Sequence, residues 1–218
     1  HGVSPLPDLL SMLDIVALGT VCDVVPLTGL NRAFVTKGLI AARHLGNPGL
    51  AALARVASIG EPLNPFHFGF LIGPRINAGG RIGNAALGAT LLCEEDANRA
   101  AEIAAELDRL NRERQAMEVE MVADACAEAD RDLASSSPPS VIVTSSPGWH
   151  PGIVGLIAAR LKEQARRPAF AIAFATAWSA RKPGPASTSV PVRDASASSA
   201  SAWARSRSTV TTALRCGF

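Results

Sequence analysis

Apolar positions along this chain change their spacing several times, and each change marks an element. Leu9, Leu10, Leu13, Ile15, Val16 and Leu18 crowd too closely for a helix with one wet face. They predict a buried helix that begins at Asp8 and stops at Gly19. Two amphipathic helices follow over 31–45 and 47–58, separated by Gly46, with stripes at Phe34, Val35, Leu39 and Ile40 and then at Leu50, Leu53 and Val56. Asn47-Pro48 supplies a cap and a preset first turn for the second of them. A solid apolar run, Phe68 to Ile72, precedes a glycine-rich stretch, and a short alanine- and leucine-rich helix spans 85–93. Acidic residues 94–96 then open a long helix from Ala97 to about Leu133. It carries Ile103, Leu107, Leu110, Met117, Met121, Val122 and Ala125 on one side and Glu106, Asp108, Arg109, Arg112, Glu113 and Arg114 on the other. After the Ser/Pro linker 132–140, the pattern switches to strand (141–144), helix (153–164), strand (168–174), the opening of an α/β unit with a parallel pair. Beyond Phe174 periodicity vanishes.

A chain of 218 residues, 48% hydrophobic, has enough apolar content for one large domain or two small ones. The net charge of +2 conceals an asymmetry. Residues 1–174 hold fifteen Lys and Arg against eighteen Asp and Glu, whereas 175–218 hold six against one. The basic pI of 8.5 therefore comes from the tail, and a nucleic-acid site in the body has to rest on local arginines. Cys22, Cys93, Cys126 and Cys216 show no CxxC spacing, which favours free thiols in a reducing cytosol. No apolar run reaches the roughly 20 residues a bilayer span needs. The expectation is a cytoplasmic protein.

Candidate chemistry concentrates in a few places. In Gly73–Gly83, GPRINAGGRIG, glycines permit positive φ and close backbone approach, and Arg75, Asn77 and Arg81 offer donors suited to phosphate oxygens. That reads as an anion-binding platform; the alternative is a glycine-rich turn whose arginines cap carbonyls or face solvent. Asp23 stands alone among apolar neighbours in TVCDVVPL, so a buried carboxylate there needs a cation, a cap role or a salt bridge to Arg32. Asp14 has a structural or supporting role. His150 lies after a strand and just before a helix N-terminus, a place where phosphate is readily bound. His44 and His67 are isolated and receive no role.

These stretches resemble a known family. GPRINAGGRIG is similar to the motif joining the two halves of RecJ-type single-strand-specific DNA exonucleases, members of the DHH phosphoesterase superfamily. ALGTVCDVVPL (17–27) resembles the last metal-binding motif of the DHH catalytic domain, ELDRLNRERQ (106–115) the start of the family's connecting helix, and GWHPGIVGL (148–156) the opening of its DHHA1 domain. The matches fall in the family's order.

The resemblance implies an α/β fold divided as the C-terminal, mostly helical part of a DHH domain (1–95), the long connecting helix (96–135) and the start of an α/β DHHA1 domain (136–174). It implies that Asp23 ligates a divalent metal, Mn²⁺ or Mg²⁺, that Arg75, Asn77 and Arg81 orient the phosphates of single-stranded DNA, and that His150 contacts the strand. Arg109 and Arg112 then face the groove beside the connecting helix. The implied activity is 5′-to-3′ hydrolysis in DNA repair and recombination, with a single-strand-binding protein or a helicase as further partners. The family's Asp-His-His motif and paired aspartates lie upstream of anything here, so the chain reads as an internal fragment, inactive alone. Residues 175–218 lack the family's serine- and arginine-containing loop and Gly-Gly-Gly-His motif, and read as an out-of-frame or disordered tail. The alternatives are a related phosphoesterase acting on oligonucleotides or cyclic dinucleotides, and a non-catalytic nucleic-acid-binding fragment.

Overall fold

The computed structural model describes residues 8–174 and the backbone of Val210 and Thr211. The elements in order are α1 (Leu13–Cys22), α2 (Gly29–Ala42), α3 (Pro48–Val56), a π-helical turn (His67–Ile72), α4 (Gly73–Ile82), α5 (Leu87–Leu92), α6 (Ala97–Leu133), β1 (Ile142–Ser146), α7 (Val154–Ala165), β2 (Ala169–Phe174) and β3 (Val210–Thr211). They form two compact units, 1–116 and 117–218, and α6 runs through the boundary. The expected tail, 175–218, lies outside the described residues apart from β3.

The first unit is all helical. Its core is Leu50, Leu53, Phe68, Ile72, Leu91 and Leu107, each fully buried. Small residues let helices approach closely: a Cβ on Gly38 of α2 would lie 2.1 Å from the Leu13 carbonyl oxygen of α1, and one on Gly49 of α3 would lie 2.2 Å from the Leu91 carbonyl oxygen of α5. Asn47 caps α3 as expected, accepting the Leu50 N–H at 2.9 Å, while its amide nitrogen donates to the Leu92 carbonyl at 2.8 Å. Asp96 does the same for α6, accepting from Asn98 and Arg99.

The α1 expectation is corrected on both ends and on burial. Asp8 accepts the Leu10 N–H in a turn, α1 starts at Leu13, and Leu9, Leu10 and Met12 are exposed. Gly19 does not end the helix, because a mid-helix glycine costs only about 1 kcal/mol and the next turn packs Val21 and Cys22 against the π-helical turn. Closure comes instead from the Val24 N–H to the Val21 carbonyl and the Val25 N–H to the Thr20 carbonyl, the paired bonds of a Schellman motif. Val24 sits at φ 55 in the position usually held by glycine.

The second unit holds the α/β element. β1 and β2 pair in parallel from Ile142↔Ala169 to Ser146↔Ala173, as the strand–helix–strand pattern predicts, and β3 adds antiparallel to β2. α7 buries Val154, Ile157 and Leu161. The C-terminal half of α6 supports both: Glu128 accepts the Ser145 N–H at 3.2 Å, and the Cys126 thiol bonds the Gln164 carboxamide oxygen at 3.0 Å.

Candidate nucleic-acid interface

The glycine-rich stretch forms a helix. α4 covers Gly73–Ile82, and its glycines serve packing rather than positive φ. A Cβ on Gly73 would fall 2.6 Å from the Cys22 sulfur, one on Gly83 would fall 2.7 Å from Leu110 Cδ1, and one on Gly79 would meet the Asn84 carbonyl at 2.9 Å. The helix is thereby pressed onto α1, α6 and its own exit loop. The platform expected from a loosened backbone is corrected on this point: donors are presented from helical side chains.

Helical spacing then sorts the three predicted phosphate ligands. At about 100° per residue, Asn77 and Arg81 are four apart and share a face, whereas Arg75 stands about 200° from Asn77. Asn77 is exposed and Arg81 half-buried. Arg75 is largely buried and turned toward α6, where its Nε donates to Asp108 Oδ1 at 2.9 Å and its Nη1 donates to the Leu71 carbonyl at 2.7 Å. The π-helical turn fixes that approach: its i-to-i+5 bond runs from the Gly73 N–H to the Phe68 carbonyl, which also accepts the Cys22 thiol at 3.4 Å.

Asp108 holds two guanidinium groups. Its other oxygen accepts from Arg112 Nη2 at 2.5 Å, so a carboxylate 9% exposed on its side chain is flanked by Arg75 and Arg112. Two cations against one anion leave the cluster net positive. It borders an open cavity of about 370 Å³ to which Phe70, Leu71, Asn111 and Gln115 also contribute. Arg109, expected beside Arg112, behaves differently. It forks onto Glu106 and reaches Glu113, spending its donors on carboxylates of its own helix, and those carboxylates raise its pKa further.

Asp23 is exposed, which corrects the expectation of a sunken carboxylate. It is the C-cap residue of α1, its N–H bonded to the Gly19 carbonyl at 3.0 Å, and it forms neither an N-cap nor a bond to Arg32 among the described residues. The apolar neighbours that suggested burial do not cover it, because the chain turns outward at Val24. Asp14, by contrast, lies at 3% exposure on the face of α1 that carries Ala17 and Leu18, accepting the Ile15 N–H at 2.7 Å. Beside Asp23, burial and then the Asp23 charge push the Cys22 thiol up to about 11. Among the described residues no three His, Cys, Asp or Glu side chains group as a metal site.

In the second unit, Trp149 and His150 are buried in the loop before α7. His150 Nδ1 accepts the Gly152 N–H at 2.9 Å and its carbonyl accepts the Ile153 N–H at 3.0 Å, so the residue shapes the turn into the helix. With Nδ1 accepting, the neutral ring carries its proton on Nε2.

No family model matches the chain. It is 37% identical over 200 residues to the single-stranded-DNA-specific exonuclease RecJ of Salmonella typhimurium, covering 89% of this chain and 34% of that protein. Against the Escherichia coli RecJ it is 36% identical over 193 residues. The structure overlays the Mn²⁺ complex of Thermus thermophilus RecJ with a TM-score of 0.69 at 38% identity, covering 77% of this chain and 25% of that one. A second crystal structure, an exonuclease RecJ bound to manganese, also gives 0.69, at 37% identity. Over the stretch it spans, the chain is of RecJ type.

This RecJ-type chain spans about a third of the length of the Salmonella and Escherichia coli relatives. The Salmonella match covers more of the chain than residues 1–174 supply, so that likeness runs into the stretch set apart by composition. Within the RecJ-type segment, sequence reasoning missed Asp108 as the partner of Arg75, and Asn111, Gln115 and Phe70 as lining residues. Asp108, Asn111, Arg112 and Gln115 recur at helical spacing on α6, a polar stripe that was legible; its pairing with Arg75 across 33 positions was not.

Proposed function

We propose that this chain is the part of a RecJ-type exonuclease that holds single-stranded DNA by its phosphates beside the catalytic centre. The observation carrying the reading is the Arg75–Asp108–Arg112 cluster, net positive and open to a cavity, in a chain 36–40% identical to single-stranded-DNA-specific exonucleases. Asp108 holds both guanidinium groups, and Arg112, exposed over most of its side chain, offers its remaining donors to an incoming oxyanion. Arg81 and Asn77 line a second face of α4 for the next phosphate.

Relatives crystallise with Mn²⁺ and Mg²⁺, and a divalent metal is the implied cofactor. The described residues fit such a site incompletely: Asp23 offers one exposed carboxylate at the end of α1, whereas hard divalent ions take about six oxygen ligands, waters included. No step is therefore routed through a metal held by these residues, and Asp23 is assigned as a single contributing ligand. The whole protein acts from the 5′ end in repair and recombination, in the cytoplasm, with a single-strand-binding protein or helicase as further partners. No described helix is long and apolar enough to cross a membrane.

The test is titration of the 218-residue chain with 5′-labelled oligothymidylate at several salt concentrations, with Mn²⁺ or Mg²⁺ present. Binding without shortening of the strand is expected, with a log–log salt slope of about −1.4 for the two arginine–phosphate contacts at Arg112 and Arg81. Steady digestion would refute the single-ligand assignment, and absence of binding at low salt would refute the single-strand reading.

A further inference from the structure

The turn ahead of α4 carries Phe66, Phe68 and Phe70, which part company in the structure. Phe68 is fully buried in the core, while Phe66 and Phe70 are 58% and 70% exposed. Their rings stack on each other with centroids 5.1 Å apart and 24° between planes. The π-helical backbone beneath them is of a kind frequent at functional sites. Of the stacked pair, Phe70 borders the cavity that holds Arg75 and Arg112.

The opposite wall of that cavity comes from one face of α6, with Asp108, Asn111, Arg112 and Gln115 at helical spacing. Asn111 is 3% exposed, and its carboxamide oxygen is held by the Arg114 guanidinium at 3.3 Å. This orients the Asn111 Nδ2, which has no partner among the described residues. An exposed aromatic face, two amide side chains and a net positive guanidinium cluster therefore converge on one space. An apolar protein segment matches the ring and leaves the amides and cations unanswered; a lone anion matches the cations and wastes the ring. A nucleotide answers all three, since its base has a π-face, its edges carry donors and acceptors, and its phosphate is anionic.

We propose that this cavity is a nucleobase-stacking site for single-stranded DNA, the base lying against Phe70 with its edge toward Asn111 and Gln115 and its phosphate on Arg112. The proposal rests on the single-strand reading above and adds to it a contact with the base. Because every base has a π-face, the site is tolerant of sequence. Because a base paired within a duplex has its faces covered by neighbours, the site takes single strands.

The experiment compares binding of the 218-residue chain to an oligothymidylate and to an abasic oligonucleotide of equal length and charge. Phe70→Ala is expected to weaken oligothymidylate binding about 5- to 100-fold and to leave abasic binding unchanged, and Phe70→Trp to retain tight binding. Circular-dichroism melting of each variant establishes that it is folded. Equal affinity of wild type and Phe70→Ala for oligothymidylate, or equal loss on both strands, overturns the stacking site and makes Phe70 a packing surface, while the phosphate reading stands. Failure of the wild-type chain to bind either strand overturns both.

Discussion

The two motif-bearing stretches, α4 with its glycines and the Trp149-His150 loop before α7, use their polar residues in opposite ways. Arg75 reaches out of its element to Asp108, 33 positions along the chain. His150 bonds to Gly152 and to the first turn of the helix it precedes. One motif is therefore a tertiary device whose geometry depends on a distant helix, and the other is a local device that folds with its own turn. A short motif matched by sequence alone does not say which kind it is.

Removing the distant partner should be the most damaging change. Asp108→Ala leaves the largely buried Arg75 facing Arg112 without its carboxylate, and a loss of about 3–5 kcal/mol is expected in urea unfolding of the first unit. Pairing Arg75→Met with Asp108→Leu should recover most of it, because two apolar side chains of similar volume leave no charge stranded. Failure to recover would mean that the carboxylate does more than satisfy the arginines.

Packing of α4 comes next. Gly73→Ala should cost about 1–3 kcal/mol, since the added methyl meets the Cys22 sulfur at 2.6 Å. Cys22→Ala in the same chain should remove the share due to the sulfur and leave the contact with the Phe68 carbonyl oxygen at 2.9 Å, and a double-mutant cycle reads the coupling directly. Additive effects would place the strain elsewhere. The smallest effect belongs to the local motif: His150→Ala should cost about 1 kcal/mol through one lost turn bond, confined to the second unit. Amide hydrogen exchange around 150–156 should rise while exchange in α4 stays as it was, and a change in α4 would break the contrast.

Outside α1, the elements read from spacing held. The Asn47-Pro48 start of α3, the acidic opening and full length of α6, and the parallel pair around α7 all follow from periodicity, capping and helix-end charge within a few residues. The site was harder to read. Apolar neighbours made Asp23 look sunken, yet a Schellman turn at Val24 carries it to the surface, and the buried carboxylate of α1 is Asp14. Four glycines in 73–83 suggested a loosened backbone or turn, because composition does not distinguish a glycine needed for φ from one needed to admit a neighbouring helix.

By itself the sequence determined the helices that carry an apolar pattern, though not the one over Gly73–Ile82, as well as where the α/β element begins and which family pattern the chain carries, because backbone hydrogen bonding and amphipathic spacing act over a few residues. Tertiary packing alone decided that Arg75 is tied to Asp108 of α6 and that Phe70 stands beside the cations. Those outcomes depend on which helix lies across α4, and contacts between residues so far apart along the chain leave no periodic trace in it.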